Sequence, residues 1–289
     1  MRIQHNIAAL NSYRQLGTNN TAMSKNLEKL SSGYRINRAG DDAAGLAISE
    51  KMRAQIKGLE TAQKNANDAI SLVQTAEGAL TEVHSMLNRM AELATQASNG
   101  TYTKAGENDG IAGNKDTEQI KLEIEQLVEE IDRIAKSTKF NGITLLNGNM
   151  DGTGRDMQIG TEAQTFDVLT ITIADMSATG ANLGLSGVAG NVATGGSTAQ
   201  AEIGTIKNAI NEVSTTRARL GAWQNRLEHT VNNLGVTHEN ITASESRIRD
   251  TDMASEMMAF TKNNILNQAA QSMLAQANQV PQGVLQLLQ

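Results

Sequence analysis

Cysteine is absent from these 289 residues, proline occurs once, at Pro281, and aromatic side chains make up only 2%. Without cysteine there are no disulfides, no thiolate chemistry and no cysteine-based metal sites. With rings scarce, the side chains that bury the most area are missing, so apolar area has to be covered along helix seams. The single proline leaves more than two hundred residues free of helix breakers. Glycine is present 25 times, mainly in the middle of the chain. This is the composition of long helices around a turn-rich insert. No run of about 18 apolar residues exists to span a membrane. The start, MRIQHNIAALNSYRQ, lacks the apolar core of about 7 to 15 residues that marks a secretory signal. The net charge is −6, with Lys and Arg scattered among Asp and Glu. A protein that neutralises phosphates needs a concentrated basic face, so nucleic acid is excluded as a partner.

What is present is periodicity at both ends. Ile3, Ile7, Leu10, Tyr13, Leu16, Met23, Leu27, Leu30 and Tyr34 mostly recur every three or four residues, the spacing that gathers side chains onto one helical face. Met258, Ile265, Ala269, Met273, Ala277, Val280, Val284 and Leu287 do the same near the other end. Each stripe has no partner close by in sequence, so the two ends are expected to pack on each other. Rich in Ala and Met, the stripes offer a thin core, and isolated helices need tertiary burial to hold. The ends are therefore expected to be loose in the monomer and ordered when many copies pack. A membrane-surface role would want Lys and Arg on the polar face, and residues 253–289 carry only Lys262. Self-packing is the reading.

Between the ends, Ser31 to Asp42 (SSGYRINRAGDD) reads as a loop or hinge. Ala44 to about Ser98 is one helical pattern through Ile48, Met52, Leu59, Val73, Leu80, Leu87 and Met90, roughly 80 Å long at 1.5 Å per residue. Asn99 to Lys115 is a Gly- and Asn-rich break, followed by a helix from about Asp116 to Lys136. FNGITLLN, Phe140 to Asn147, places Asn-Gly before an apolar run, a hairpin signal. Met157 to Ile159 and Phe166 to Ile173 alternate with period two, hence strand. Ser177 to Ser197 reads as loop, and a second long helix runs from about Ala199 through Leu220, Trp223, Leu227 and Ile248. The expected fold is mainly α: an elongated antiparallel helical coiled-coil rod with a small β-hairpin region, both termini helical and paired at one end.

Chemistry finds little footing. The four histidines, at 5, 84, 229 and 238, lie far apart without ligand spacing, and GLSGVAGNVATGG lacks the lysine and the strand-to-helix context of a phosphate loop. No catalytic residue, cofactor site or metal site is expected, and the chain reads as no enzyme. Trp223 falls on the helical stripe, as a core anchor would.

At this point the residues resemble a known family. MRIQHNIAALNSYRQL at the start, LEKLSSGYRINRAGDDAAGLAISEKMRAQI from Leu27 to Ile56, RLGAWQNRLEHTVNNL from Arg219 to Leu234, and AQSMLAQANQVPQGVLQLL from Ala270 to Leu288 are similar to bacterial flagellin, the subunit of the flagellar filament. The resemblance covers about 1–150 and 199–289. It implies a terminal helical filament-core domain, 1–42 and 251–289, and a helical rod domain, 43–250, with a short β region at about 139–198. With only about fifty residues in the middle, it implies a short form with little or no outer variable domain. It implies self-assembly into a homopolymer for swimming motility and export through the flagellar type III apparatus without a cleaved signal peptide, to an extracellular filament. Implied partners are an export chaperone on the C-terminal helix, at Ile265, Met273, Val280, Val284 and Leu287, together with filament cap and hook-junction proteins. Two rivals remain: a hook-filament junction protein, which would cap the filament, and a secreted helical effector or adhesin that does not polymerise.

The segment LNRMAELATQASNG, Leu87 to Gly100, is similar to the flagellin region recognised by host Toll-like receptor 5. The resemblance carries a receptor-recognition role onto Arg89, Glu92 and Leu93, and onto Glu123 and Ile206 by alignment of neighbouring helices. Met90 and Ala91 depart from the commoner pattern. A long Arg beside a Leu exposed at a helix end is the expected hot spot, on a surface that also packs against the next subunit.

Overall fold

The structure is a computed structural model that describes residues 6–99, 101–102, 116–152, 154–162, 164–180 and 182–287, with side chains described as far as Gln279. Six helices and two small antiparallel strand pairs make up its regular structure among these residues. The helices are α1 (Ile7–Ser32), α2 (Ala43–Ala97), α3 (Asp116–Ser137), α4 (Val188–Ala193), α5 (Gly196–Arg249) and α6 (Met253–Leu287). The strands are β1 (Lys139–Phe140), β2 (Ile143–Thr144), β3 (Arg155–Gln158) and β4 (Val168–Ile171). The mainly α class and the helical termini agree with the sequence. Most of the expected Asn99 to Lys115 break lies outside the described residues.

The chain divides into two compact units, 1–57 with 238–289, and 58–237. In the second unit, α2, α3 and α5 bury one common core, from Val73, Leu80 and Leu87 through Ile124 and Ile131 to Val213, Leu220 and Leu227. Every apolar stripe position read for α2 from Leu59 onward is buried, and Trp223 is half-buried against this core. The stripe stops short at its N-terminal end, where Ile48 is exposed.

The Asn-Gly hairpin forms as the sequence requires. Asn141 (φ 48°) and Gly142 (φ 79°) both take the left-handed region, which matches a two-residue turn to the twist of β1 and β2. β3 pairs with β4 from Arg155↔Ile171 to Gln158↔Val168. Phe166, expected within a strand, instead lies in a 3₁₀ turn (Thr165–Asp167) with its ring exposed.

The expected loop at 177–197 is the chief correction in this unit. Ala178, Leu183 and Leu185 are buried, and α4 packs on α3 through buried Val188 and Val192. The backbone is tied down by Met176 N–H to the Leu146 carbonyl (2.9 Å) and Leu185 N–H to the Ala178 carbonyl (3.0 Å). Asp132 on α3 accepts from Ala178 N–H at 2.7 Å. Glycines interrupt any helical or alternating pattern here, so no periodicity announces a segment whose order comes from contacts distant in sequence.

In the first unit, α1 ends at Gly33 (φ 73°), whose N–H bonds the Lys29 carbonyl at 2.8 Å, the left-handed cap that glycine permits without strain. α1 and α6 pack on each other. Asn6 caps α1 by accepting from Ala9 N–H and donates to the Ala277 carbonyl of α6 at 2.7 Å.

Candidate functional site

The terminal pair joins the predicted partners but turns many of its bulky apolar residues outward. Ile7, Leu10, Tyr13 and Leu27 of α1 are exposed, as are Met257, Met258, Ile265, Leu266 and Met273 of α6. α1 contains no fully buried residue. The better covered positions of α6 are mostly small or polar, among them Ala259, Asn263, Asn267, Ala270 and Ala277, with Phe260 and Leu274 as half-buried larger side chains. The expected seam of stripe against stripe is corrected accordingly: Met258 (68% exposed), Ile265 (61%) and Met273 (62%) belong to an open face. Two helices cover only a narrow strip of each other, and small side chains admit the closest approach. The wider apolar faces on either side are left uncovered. Of the segment expected to bind self and chaperone, the side chains of Val280, Val284 and Leu287 lie outside the described residues.

Large apolar side chains exposed along both helices of the pair make a surface suited to contact with protein. Its chemistry is aliphatic and thioether, with Tyr13 the exposed ring. Met suits contacts among repeated copies because it adapts to irregular gaps.

The junctions at the base of this pair are knitted together. Tyr34 and Asp250 form an antiparallel bridge, Arg35 N–H donates to the Arg249 carbonyl (2.6 Å), and Thr251 N–H donates to the Gly33 carbonyl (2.9 Å). In the 35–42 turn, Asp41 accepts from the backbone N–H groups of Arg38 (3.1 Å) and Asn37 (3.3 Å). These bonds, the Arg38 one foremost, together with the Lys25 and Lys29 charges hold its carboxyl below the ordinary range. Asp42 accepts from Gly45 N–H (2.9 Å) to start α2, and a Cβ on Gly45 would come within 2.9 Å of the buried Ile36.

The residues read for receptor recognition separate into two groups. Arg89 Nε donates to Glu123 Oε1 at 2.8 Å and Nη1 to Glu92 Oε2 at 3.2 Å, so these three share one exposed patch joining α2 to α3. The bond to Glu123 and then that to Glu92 raise the guanidinium's pKa, which keeps it charged. Leu93 and Ile206 are not in this patch. Leu93 is 2% exposed and Ile206 fully buried, both inside the α2–α3–α5 core. The expected exposed leucine is therefore a core residue. Leu93 falls six residues after Leu87 and three after Met90, on the buried stripe, whereas Arg89 stands beside that stripe and reaches outward.

His84 is half-buried on α2 with Nδ1 lacking a hydrogen-bond partner, and His229 is exposed on α5. No group of three His, Asp or Glu able to hold a metal ion occurs among the described residues, and no helix among them is long and apolar enough to cross a membrane.

Comparison with known proteins matches two regions of the chain. Residues 3–151 match the bacterial flagellin N-terminal helical region and residues 203–288 the bacterial flagellin C-terminal helical region. The chain is 51% identical over 314 aligned residues to the flagellin of Bacillus subtilis (strain 168), covering 100% of both. It is 45% identical over 296 aligned residues to the flagellar filament 30.7 kDa core protein of Treponema maltophilum, again covering 100% of both. A solved structure of a flagellar hook-associated protein from Vibrio parahaemolyticus aligns with 73% of this chain and 100% of that chain at a TM-score of 0.59 and 11% identity, a likeness of fold alone. Matched over both terminal regions and along its full length, the chain belongs to the bacterial flagellin family.

Proposed function

We infer that this chain is a structural subunit of a flagellar filament and works mechanically, by self-assembly rather than catalysis. The observation that carries this reading is the outward apolar face of the α1–α6 pair, from Ile7 and Leu10 to Ile265 and Met273. The relative in Treponema maltophilum named a filament core protein supports it. Head-to-tail contacts that do not close build a helical polymer, and burying this face between copies offsets the entropy of ordering the ends. In this reading 1–42 with 251–289 form the filament-core domain and 43–250 the helical rod domain, and the assembled protein lies outside the cell. Electron microscopy of purified chain after seeding tests it. Elongation without limit is expected; a short cap, as a hook-junction protein would form, or no polymer, as an effector or adhesin would give, overturns it.

The same exposed face has to be kept from premature assembly before export. An export chaperone held on α6 meets that need, with the flagellar type III apparatus as the route and cap and hook-junction proteins at the filament's ends. A pull-down comparing full-length chain with one truncated after Asp252 decides the chaperone site. Equal capture of both moves the site off α6.

A second reading rests on the Arg89 patch. The guanidinium, fixed between Glu92 and Glu123 on an exposed surface, is a suitable anchor for host Toll-like receptor 5, with Leu93 and Ile206 supporting the helices beneath rather than touching a receptor.

A further inference from the structure

Within the terminal pair, the strip where α1 meets α6 is rich in alanine and asparagine. Alanine against alanine fits at several alignments, because slipping one helix past the other replaces one methyl by the next. The half-buried Leu16 and Leu274 recur at helical spacing with other apolar residues and discriminate little more. An amide does not share that tolerance. It carries both donors and an acceptor, and it costs free energy when buried against apolar groups. A polar residue at one buried position of a helix pair is the best-attested way of specifying alignment at some expense in stability.

Three asparagine rungs cross this strip. Asn6 donates to the Ala277 carbonyl at 2.7 Å, and Asn267 donates to Asn20 Oδ1 at 3.3 Å. With its amide oriented so that donors meet acceptors, Asn26 donates to Glu256 Oε1 and accepts from Asn263 Nδ2, both at 3.0 Å. The rungs run in opposite order along the two helices, so all three agree on one antiparallel alignment. Asn267 is only 8% exposed, and its own Oδ1 has no partner, a cost that hydrophobic packing does not explain.

We propose that these asparagines select the register of α1 on α6. Resting on the filament-subunit reading, that register also fixes which outward apolar side chains of the two helices stand side by side for a second copy of this chain to meet. A slipped pair would keep a largely apolar interior and present a different outer surface.

Disulfide trapping in the full chain reads the register directly, because the protein has no cysteine of its own. Leu16→Cys with Ala270→Cys, both half-buried between the first two rungs, reports the native alignment. Leu16→Cys with Ala277→Cys reports a slip of about two turns. Under air with a copper catalyst, the native pair is expected to close at least about tenfold faster than the slipped pair, since slipping strands the amides against methyls. Adding Asn20→Ala, Asn26→Ala, Asn263→Ala and Asn267→Ala should bring the two rates within about threefold. An unchanged rate ratio in that variant, or equal rates in the chain with its asparagines intact, overturns the proposal. Seeded elongation is scored separately with the asparagine-containing chain. Failure to elongate removes the subunit reading and leaves the register ratio standing.

Discussion

Arg249 Nη1 donates to Glu50 Oε1 at 3.0 Å across 199 residues of sequence. The same guanidinium lies 4.7 Å over the Tyr34 ring, and its side chain is only 13% exposed, so one residue at the end of α5 grips both the start of α2 and the turn after α1. Glu50 remains largely solvated, so the ion pair itself contributes little; the stacking and the covered stem contribute more.

Arg249→Ala should therefore cost about 1 to 2 kcal/mol locally while leaving the 58–237 unit intact. Hydrogen exchange is the measurement: the Arg35 and Thr251 amides, which bond across this junction, should lose protection. Unchanged protection at both would show that the backbone bridge holds without the side chain.

Leu93 and Arg89 should respond in opposite ways. Leu93→Ala empties a buried site in the α2–α3–α5 core and should cost about 2 to 5 kcal/mol of stability, read as a lowered melting temperature. Arg89→Ala, on a half-exposed guanidinium, should leave the melting temperature close to that of the natural chain. If the Arg89 patch is the receptor anchor, the same variant should weaken receptor binding by monomer by about thirtyfold. Binding at full strength to a folded Arg89→Ala chain would end that reading.

Acid should loosen the 175–185 segment through Asp132. Burial pushes this carboxyl up, but Lys136 at 3.0 Å, the N–H groups of Ala178 and Thr179, and the Lys136 charge outweigh it, so its pKa lies below the ordinary value. A depressed folded pKa means the stabilisation is complete above the ordinary carboxylate value, 3.8, and is lost as pH falls through the folded value. Amide exchange at Ala178 should thus rise on acidification below about pH 4, and Asp132→Asn should flatten that dependence. A variant with the same pH profile as the natural chain would place the sensitivity elsewhere.

Deletion of 253–289 should abolish polymerisation and leave the second unit folded, because that unit has its own core in α2, α3 and α5. Sedimentation after seeding and circular dichroism read the two outcomes. In the intact monomer, limited proteolysis should cut within the first 30 residues sooner than between Leu59 and Leu93. Equal survival would mean the ends are ordered before assembly.

The five long helices were legible in the sequence, because long stretches without proline and with apolar residues every three or four positions leave the backbone few alternatives, whereas the short α4 was not. The Asn-Gly turn at 141–142 was equally legible, since left-handed backbone at both positions selects those residue types. It also determined that the two ends are partners, as neither stripe had a neighbour in sequence. Which way those stripes face was set by packing between the helices. Leu93 and Arg89 sit four residues apart on α2, yet one enters the core and the other meets Glu123. Ile265 and Met273 share the helical period of a core seam, yet the alanines and asparagines near them, together with Leu274, take the closer contact with α1. Periodicity reports that side chains share a face; which strip of that face a partner covers depends on how near two backbones can come, and that is set largely by the smallest residues, whose contribution to an apolar pattern is the weakest.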